Sequence, residues 1–237
     1  MKLLSMECSA TPCSVAVIEN GNVLASGFVN VKLTHSQTLM PMVESVLKSA
    51  LLEIKDIDGF AVSRGPGSFT GIRIGISAVK GLARPKSTPC VGVSTLRAMA
   101  ENYIDTDCVV CAVMDARCNQ VYNALFRISN GKVARLCEDR ALLCDELKIE
   151  IENNFSNDEK IIIVGDGAKV FYPLVKDKEN VQIATNSRMF QNAVGVGMTA
   201  EREFENGNTI SGEELLPVYL RLPQAERELK LKKENKK

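Results

Sequence analysis

The pattern of residues 2–29 recurs at residues 108–138, and a chain built twice to one pattern is constrained to fold as two like units. The first copy runs KLLSM, a polar turn ECSATPC, then SVAVIE, Asn20–Gly21 and VLASGFV. The second runs CVVCAVM, a polar turn DARCNQ, then VYNALFRI, Asn130–Gly131 and KVARLCE. Asn-Gly between strand-like runs is a strong hairpin signal, because both residues tolerate positive φ. Each copy continues into a helical stretch and then a strand ending in a glycine loop, IDGFAVSRGPG at 57–67 and KIIIVGDGA at 160–168. Three antiparallel strands, a helix and a parallel strand, present twice, predict two α/β lobes with mixed sheets. The boundary is expected at the polar turn after STLRAMAENY, with an N-terminal lobe over 1–104 and a C-terminal lobe over 105–220. A cleft between such lobes is the natural ligand site.

Charge excludes one class of partner for the molecule as a whole. The 237 residues carry 29 basic and 29 acidic side chains, so no net field draws the protein onto nucleic acid. The distribution is uneven, because residues 221–237 hold seven basic and three acidic side chains. That basic C-terminal tail reads as a solvated end, or as an electrostatic handle for RNA or an acidic partner. Glu7 interrupts any secretory apolar core in MKLLSMECSAT, and no apolar run is long enough to span a membrane. A cytoplasmic, membrane-free protein is expected, with its eight cysteines reduced. Cys108 and Cys111 form a C-x-x-C inside a strand-like run, where residues three apart face opposite ways, so no redox or zinc pair is expected there.

The stretch SRGPGSFTGIRIGISAVKGLA (63–83) looks at first like a phosphate loop feeding a helix. Its spacing fits neither the P-loop nor the dinucleotide fingerprint. On a helical wheel Gly71, Gly75, Ala78 and Leu82 form one stripe, Ile72, Ile76, Val79 and Ala83 a second, and only Arg73, Ser77, Lys80 and Arg84 a polar arc. The helix expected over 36–52 is also broadly apolar, with Leu39, Val43, Val46, Leu47 and Ala50 on one face and Met40, Met42 and Leu51 widening it. Two readings stand: the helices are covered by their own sheet and each other, or the stripe of small residues is a groove for a second chain. On the second reading, Gly75→Arg abolishes dimerisation and leaves the monomer folded. The single histidine, His35, begins a helix with no serine, cysteine or carboxylate placed in sequence to form a recognisable dyad with it, and reads as a structural or interface residue.

These residues carry a family resemblance. SRGPGSFTGIRIGISAVKGLA, MDARCNQVYNALF (114–126), LPVYLRLPQAE (216–226) and the opening hairpin ECSATPCSVAVIENG together resemble the TsaB (YeaZ) family. The resemblance implies two actin-like, ribonuclease-H-like (ASKHA) lobes. It also implies a role in placing the threonylcarbamoyl group on the adenosine next to the tRNA anticodon. The expected role is that of a non-catalytic scaffold or activating subunit, dimerising through N-lobe helices with a TsaD-like catalytic subunit and joined by a TsaE-like ATPase. Alone, the chain is expected to form a homodimer, and tRNA is met only through the complex. The implied interface comprises His35, Leu39, Met42, Val46, Gly71, Arg73, Gly75, Ala78 and Leu82.

No cofactor of its own is implied, because ATP and metal belong to the partner subunits. Where TsaD carries a metal-binding H-x-x-x-H, this chain has Thr95 and Met99, which cannot replace two imidazoles for a borderline cation. The cleft then reads as a vestige marked by Glu7, Asp115, Arg117, Gly165 and Gly167. The competing reading is an actin-like ATPase or small-molecule kinase that uses Glu7, Asp115 and the GDGA loop. A metallopeptidase fails on the histidine count.

Overall fold

The computed structural model describes residues 1–221; the basic tail singled out above therefore lies, from residue 222 on, outside the described residues. The first half opens with β1 (Lys2–Glu7), β2 (Cys13–Glu19) and β3 (Asn22–Val29), followed by α1 (His35–Ser49) and β4 (Gly59–Gly65). It continues with α2 (Phe69–Ala83), β5 (Cys90–Ser94) and α3 (Thr95–Glu101). Its sheet has the order β3-β2-β1-β4-β5, with β4 and β5 parallel to β1. The second half repeats the hairpin as β6 (Cys108–Arg117), β7 (Gln120–Ser129) and β8 (Lys132–Arg135), and adds β9 (Arg140–Leu143). It then runs through α4 (Cys144–Asn154), β10 (Ile161–Val164), α5 (Ala168–Phe171), β11 (Val181–Ile183) and α6 (Ala193–Glu205). Its sheet order, β11-β10-β6-β7-β8 with β9 also on β7, is the first sheet's order again.

Both Asn-Gly turns have φ positive at both residues, 49° and 77° at Asn20–Gly21 and 50° and 70° at Asn130–Gly131. That is the twist a two-residue hairpin needs. The copies diverge after their fourth strand, where the first has the 15-residue α2 and the second the four-residue α5.

Alternation along β1 and β2 splits the first sheet's residues between two cores. Leu4, Met6, Cys8, Cys13, Val15 and Val17 face α1 and α2, meeting Leu39, Val46, Ile72 and Val79. On the other face, Leu3, Ala61, Val91 and Val93 meet Val196 and Ala200 of α6, the last helix among the described residues. α3 makes the reverse crossing and places Leu96, Met99 and Ala100 in the core of the second sheet with Val110 and Phe126. The exchanged helices touch closely: a Cβ on Gly195 would stand 2.1 Å from the Ala98 carbonyl oxygen. Glu101, buried at the end of α3, pairs with Arg97 at 3.2 Å and with Arg202 of α6 at 2.7 Å.

The segment after α6 straps across the first lobe. Cys90 and Ile210 exchange backbone hydrogen bonds of 2.8 and 2.9 Å, and Val218 N–H donates to the Arg64 carbonyl at 2.7 Å. Tyr219 stacks on Phe69 with ring centroids 4.3 Å apart, and Arg73 Nε donates to the Tyr219 hydroxyl oxygen at 2.7 Å. Arg221 then donates to the Ala116 carbonyl on the second lobe. Among the described residues no helix is long and apolar enough to cross a membrane.

Two of the glycines read as a groove for a second chain are used inside this one. A Cβ on Gly71 would lie 1.9 Å from the Cys8 carbonyl oxygen, and one on Gly75 3.0 Å from Val62 Cγ2. Their absent side chains let α2 sit down on β4 and the end of β1. Leu39 and Val46 are buried in the same core. These four residues are closed to a partner in the folded chain, and Gly75→Arg would strike the chain's own core instead of a dimer.

Candidate functional site

The strand ends and connecting turns of the two lobes face one another across a cleft of about 460 Å³. One wall is the β1–β2 turn (Ser9, Ala10, Thr11) and the start of α2 (Gly67, Ser68, Phe69). The other is Met114–Arg117, Tyr122 and Asp166. The α2 end of the cleft is well ordered by its sequence: Ser68 caps the helix, its Oγ accepting from Gly71 N–H at 3.2 Å. Ser68 N–H in turn donates to the Ser9 carbonyl at 2.6 Å, which locks the two turns together.

The expected cleft residues separate on inspection. Asp115 and Arg117 do line the cleft. Asp115 Oδ1 also accepts from Arg117 N–H at 2.7 Å and so braces the turn, which runs through three consecutive residues of positive φ, Arg117, Cys118 and Asn119. Gly165 and Gly167 are packing glycines: added Cβ atoms would stand 2.0 Å from the Val113 carbonyl oxygen and 2.7 Å from the Met114 carbonyl carbon. Their N–H groups already donate to the Met189 and Val113 carbonyls, so the loop has few free donors for a phosphate. Glu7 is fully buried and is not part of the cleft wall. Its Oε1 accepts from Ser9 N–H at 2.5 Å, its Oε2 has no partner, and burial holds its carboxyl above the usual range.

Sequence reasoning passed over Asp166, although it sits between the two glycines of GDGA. It lines the cleft, accepts from Gln191 Nε2 at 2.6 Å, and burial raises its pKa. Among the described residues, no group of three His, Cys, Asp or Glu side chains is arranged to hold a metal ion. Thr95 and Met99 are both fully buried at the junction of the lobes. The Thr95 hydroxyl is without a hydrogen-bond partner, and Met99 Sδ would lie 3.1 Å from a Cβ on Gly165.

The remaining interface candidates are divided by exposure. Arg73 is exposed, while His35, Met42, Ala78 and Leu82 are half-buried; around them stand exposed Met40, Val31 and Leu33. His35 has acquired a neighbour that its sequence position concealed. Its Nε2 lies 2.8 Å from the Ala10 carbonyl oxygen, and the Cys13 thiol is the group that most raises its pKa.

Two sheets of like strand order, each covered on one face by a helix from the other half and meeting at a cleft, define an actin-like (ASKHA) protein. Comparison with known proteins narrows the class. The family model described as "TsaD: tRNA N6-adenosine threonylcarbamoyltransferase" matches residues 29–228. The Escherichia coli tRNA threonylcarbamoyladenosine biosynthesis protein TsaB is 33% identical over 93% of this chain and 95% of its own. The solved structure of YeaZ from Pseudomonas aeruginosa superposes with a TM-score of 0.77 at 27% identity, over 92% of this chain and 99% of that one. The tRNA N6-adenosine threonylcarbamoyltransferase of Tropheryma whipplei is also 33% identical, but over 40% of this chain and 27% of that enzyme. The chain belongs to the TsaB family, which acts in tRNA threonylcarbamoyladenosine biosynthesis.

Proposed function

We propose that this chain is the non-catalytic scaffold of a threonylcarbamoyl-transferring complex, docking to a TsaD-like catalytic subunit through the outer face of α1 and α2. The observation that carries this reading is the pair Thr95 and Met99. At the positions that resemble the metal-binding histidines of TsaD stand a hydroxyl and a thioether, both fully buried. Neither is a donor that would hold a borderline cation, nor is either within reach of a substrate. Metal, ATP and the transfer chemistry then belong to the partners, a TsaD-like subunit and a TsaE-like ATPase, and tRNA is met through the assembly in the cytoplasm.

The docking face is made of exposed Met40 and the rim residue Arg73 with Met42, Ala78 and Leu82, which are half-buried and lean on the edge of the core. With no TsaD-like subunit present, this face is expected to pair with a second copy of itself. The test is light scattering of the chain alone and mixed with the TsaD-like protein of its host, repeated with Met40→Glu/Ala78→Arg. We expect a homodimer that converts to a heterodimer, and a double variant that remains monomeric with an unchanged circular dichroism spectrum. A wild-type monomer indifferent to the TsaD-like protein would overturn the proposal.

A further inference from the structure

The mouth of the first hairpin holds a chemistry that the scaffold role does not use. The register of β1 on β2 pairs Met6 with Val15 and ends at Glu7 with Ser14; continued by one residue past the end of β1, it would set Cys8 opposite Cys13. Directly opposed residues on antiparallel strands have Cα atoms about 4.5–5.5 Å apart, within the span a disulfide bridges. Both side chains point to the same face of the sheet, into the core beneath α1 and α2. Both cysteines are free and buried, at 0% and 2% exposure. We propose that Cys8 and Cys13 form a redox-active dithiol, which a hydroperoxide converts to a disulfide tying together the ends of β1 and β2.

The surroundings assign a role to each sulfur. His35 Nε2 is engaged with the Ala10 carbonyl oxygen. An N–H there leaves Nδ1 as the lone-pair nitrogen, free to take a proton. Nδ1 is buried and makes no hydrogen bond. Cys13 lies among the Cys8 thiol, His35 and Thr38, and hydrogen bonding from Cys8 is the largest influence lowering its pKa. Cys8 is pushed the opposite way by the same contact and by burial. Among the described residues, the other charged group acting on the pair is Glu7, whose carboxyl burial holds toward its neutral form. With His35 and Thr38 beside it, Cys13 takes the part of the nucleophile and Cys8 that of the resolving thiol.

The reaction balances. The Cys13 thiolate attacks the outer oxygen of the hydroperoxide and the O–O bond breaks. The leaving alkoxide, or hydroxide from hydrogen peroxide, takes the proton that Cys13 had given to His35. Cys8 sulfur then attacks the Cys13 sulfenic acid, the S–S bond forms, and the departing hydroxide leaves as water with the Cys8 proton. Two thiols are oxidised and one peroxide is reduced. The residues enclosed between the two sulfurs include Ser9, Ala10 and Thr11, which line the cleft. The oxidised state thus stiffens the turn that faces the second lobe and removes the thiolate partner of His35 at the start of α1.

The experiment treats the full-length chain with equimolar hydrogen peroxide at pH 7, quenches with N-ethylmaleimide, and reads the tryptic peptide 3–32 by mass spectrometry. That peptide contains Cys8 and Cys13 and no other cysteine. The expected product is a peptide about 2 Da lighter and unalkylated, restored by dithiothreitol. It should be lost in both Cys8→Ser and Cys13→Ser. His35→Gln should slow its formation about tenfold at pH 7, the equivalent of one pKa unit, with the rate recovering as pH rises. Each variant's fold is checked by circular dichroism. The proposal is overturned if peptide 3–32 carries two adducts while the exposed Cys118 oxidises. It is equally overturned if the bridge forms as fast in the guanidinium-unfolded chain, since the folded site would then contribute nothing.

Discussion

Helix α2 carries its own internal control for close packing, because Gly71, Gly75 and Gly81 lie on one helix in three different surroundings. A methyl on Gly71 would stand 1.9 Å from the Cys8 carbonyl oxygen, one on Gly75 3.0 Å from Val62 Cγ2, and one on Gly81 would have nothing within 4 Å. None of the three has positive φ, so backbone strain does not enter. In a helix interior alanine is favoured over glycine by about 1 kcal/mol. At Gly81 that preference acts alone, and Gly81→Ala should raise the melting temperature by about 2–4 °C, the response per kcal/mol expected of a chain of this size.

At Gly71 the propensity gain is opposed by overpacking, which costs about 1–3 kcal/mol where neighbours can give way. The neighbour here is main chain at the end of a central strand. It cannot rotate aside, so the overpacking cost lies near the top of that range and the net loss is about 2 kcal/mol, a fall of about 4–8 °C. Gly75→Ala falls between, because Val62 Cγ2 has only a few tenths of an ångström to yield. Urea unfolding followed by far-UV circular dichroism reads all three, and midpoints are comparable when the slopes agree. A Gly71→Ala protein as stable as the parent would refute the close approach of α2 to Cys8. A Gly81→Ala protein as damaged as Gly71→Ala would show that Gly81 is covered by something outside the described chain.

Two further outcomes follow from buried charge. The Glu7 carboxyl titrates above its unfolded value because burial disfavours its charge, so the folded state holds the proton more tightly than the unfolded one. Stability therefore falls as pH rises from the unfolded pKa through the raised folded one. Glu7→Gln, which keeps an acceptor for Ser9 N–H, should remove that slope and gain on the parent with increasing pH above about 4.5, as read by urea midpoints between pH 4.5 and 8. Glu101 sits between Arg97 and Arg202 with its side chain 2% exposed. Glu101→Ala leaves the half-buried Arg97 without its carboxylate and should cost about 3 kcal/mol, with hydrogen exchange accelerated first in α3 and α6.

What the sequence disclosed was local, and what it withheld depended on contacts between distant residues. The hairpins were legible because Asn20–Gly21 and Asn130–Gly131 signal their turn without help from the rest of the chain. The duplication carried the sheet order with it. The faces of α2 were equally legible as small, apolar and polar. Which of them was core depended on Cys8 and Val62, far away in sequence, and the wheel alone could not separate a groove for a partner from a seat on the chain's own strands. The same limit hid the meeting of His35 with Cys13, and the destination of α6, whose apolar residues mark a buried helix but not the sheet that buries it. Asp166 was visible only as the residue between two glycines. Its place in the cleft is fixed by Gly165 and Gly167 lying against β6.

The exchange of α3 and α6 also sets a timetable. The first sheet is complete at Ser94, but the helix covering its second face starts at Ala193; at synthesis rates of about 5–20 residues per second, those roughly 100 residues take about 5–20 s. Through that interval the nascent chain carries Leu3, Ala61, Val91 and Val93 as an uncovered apolar surface. The opening half of this protein thus leaves the ribosome as a client for whatever shields bare sheets there, and is discharged only when α6 emerges.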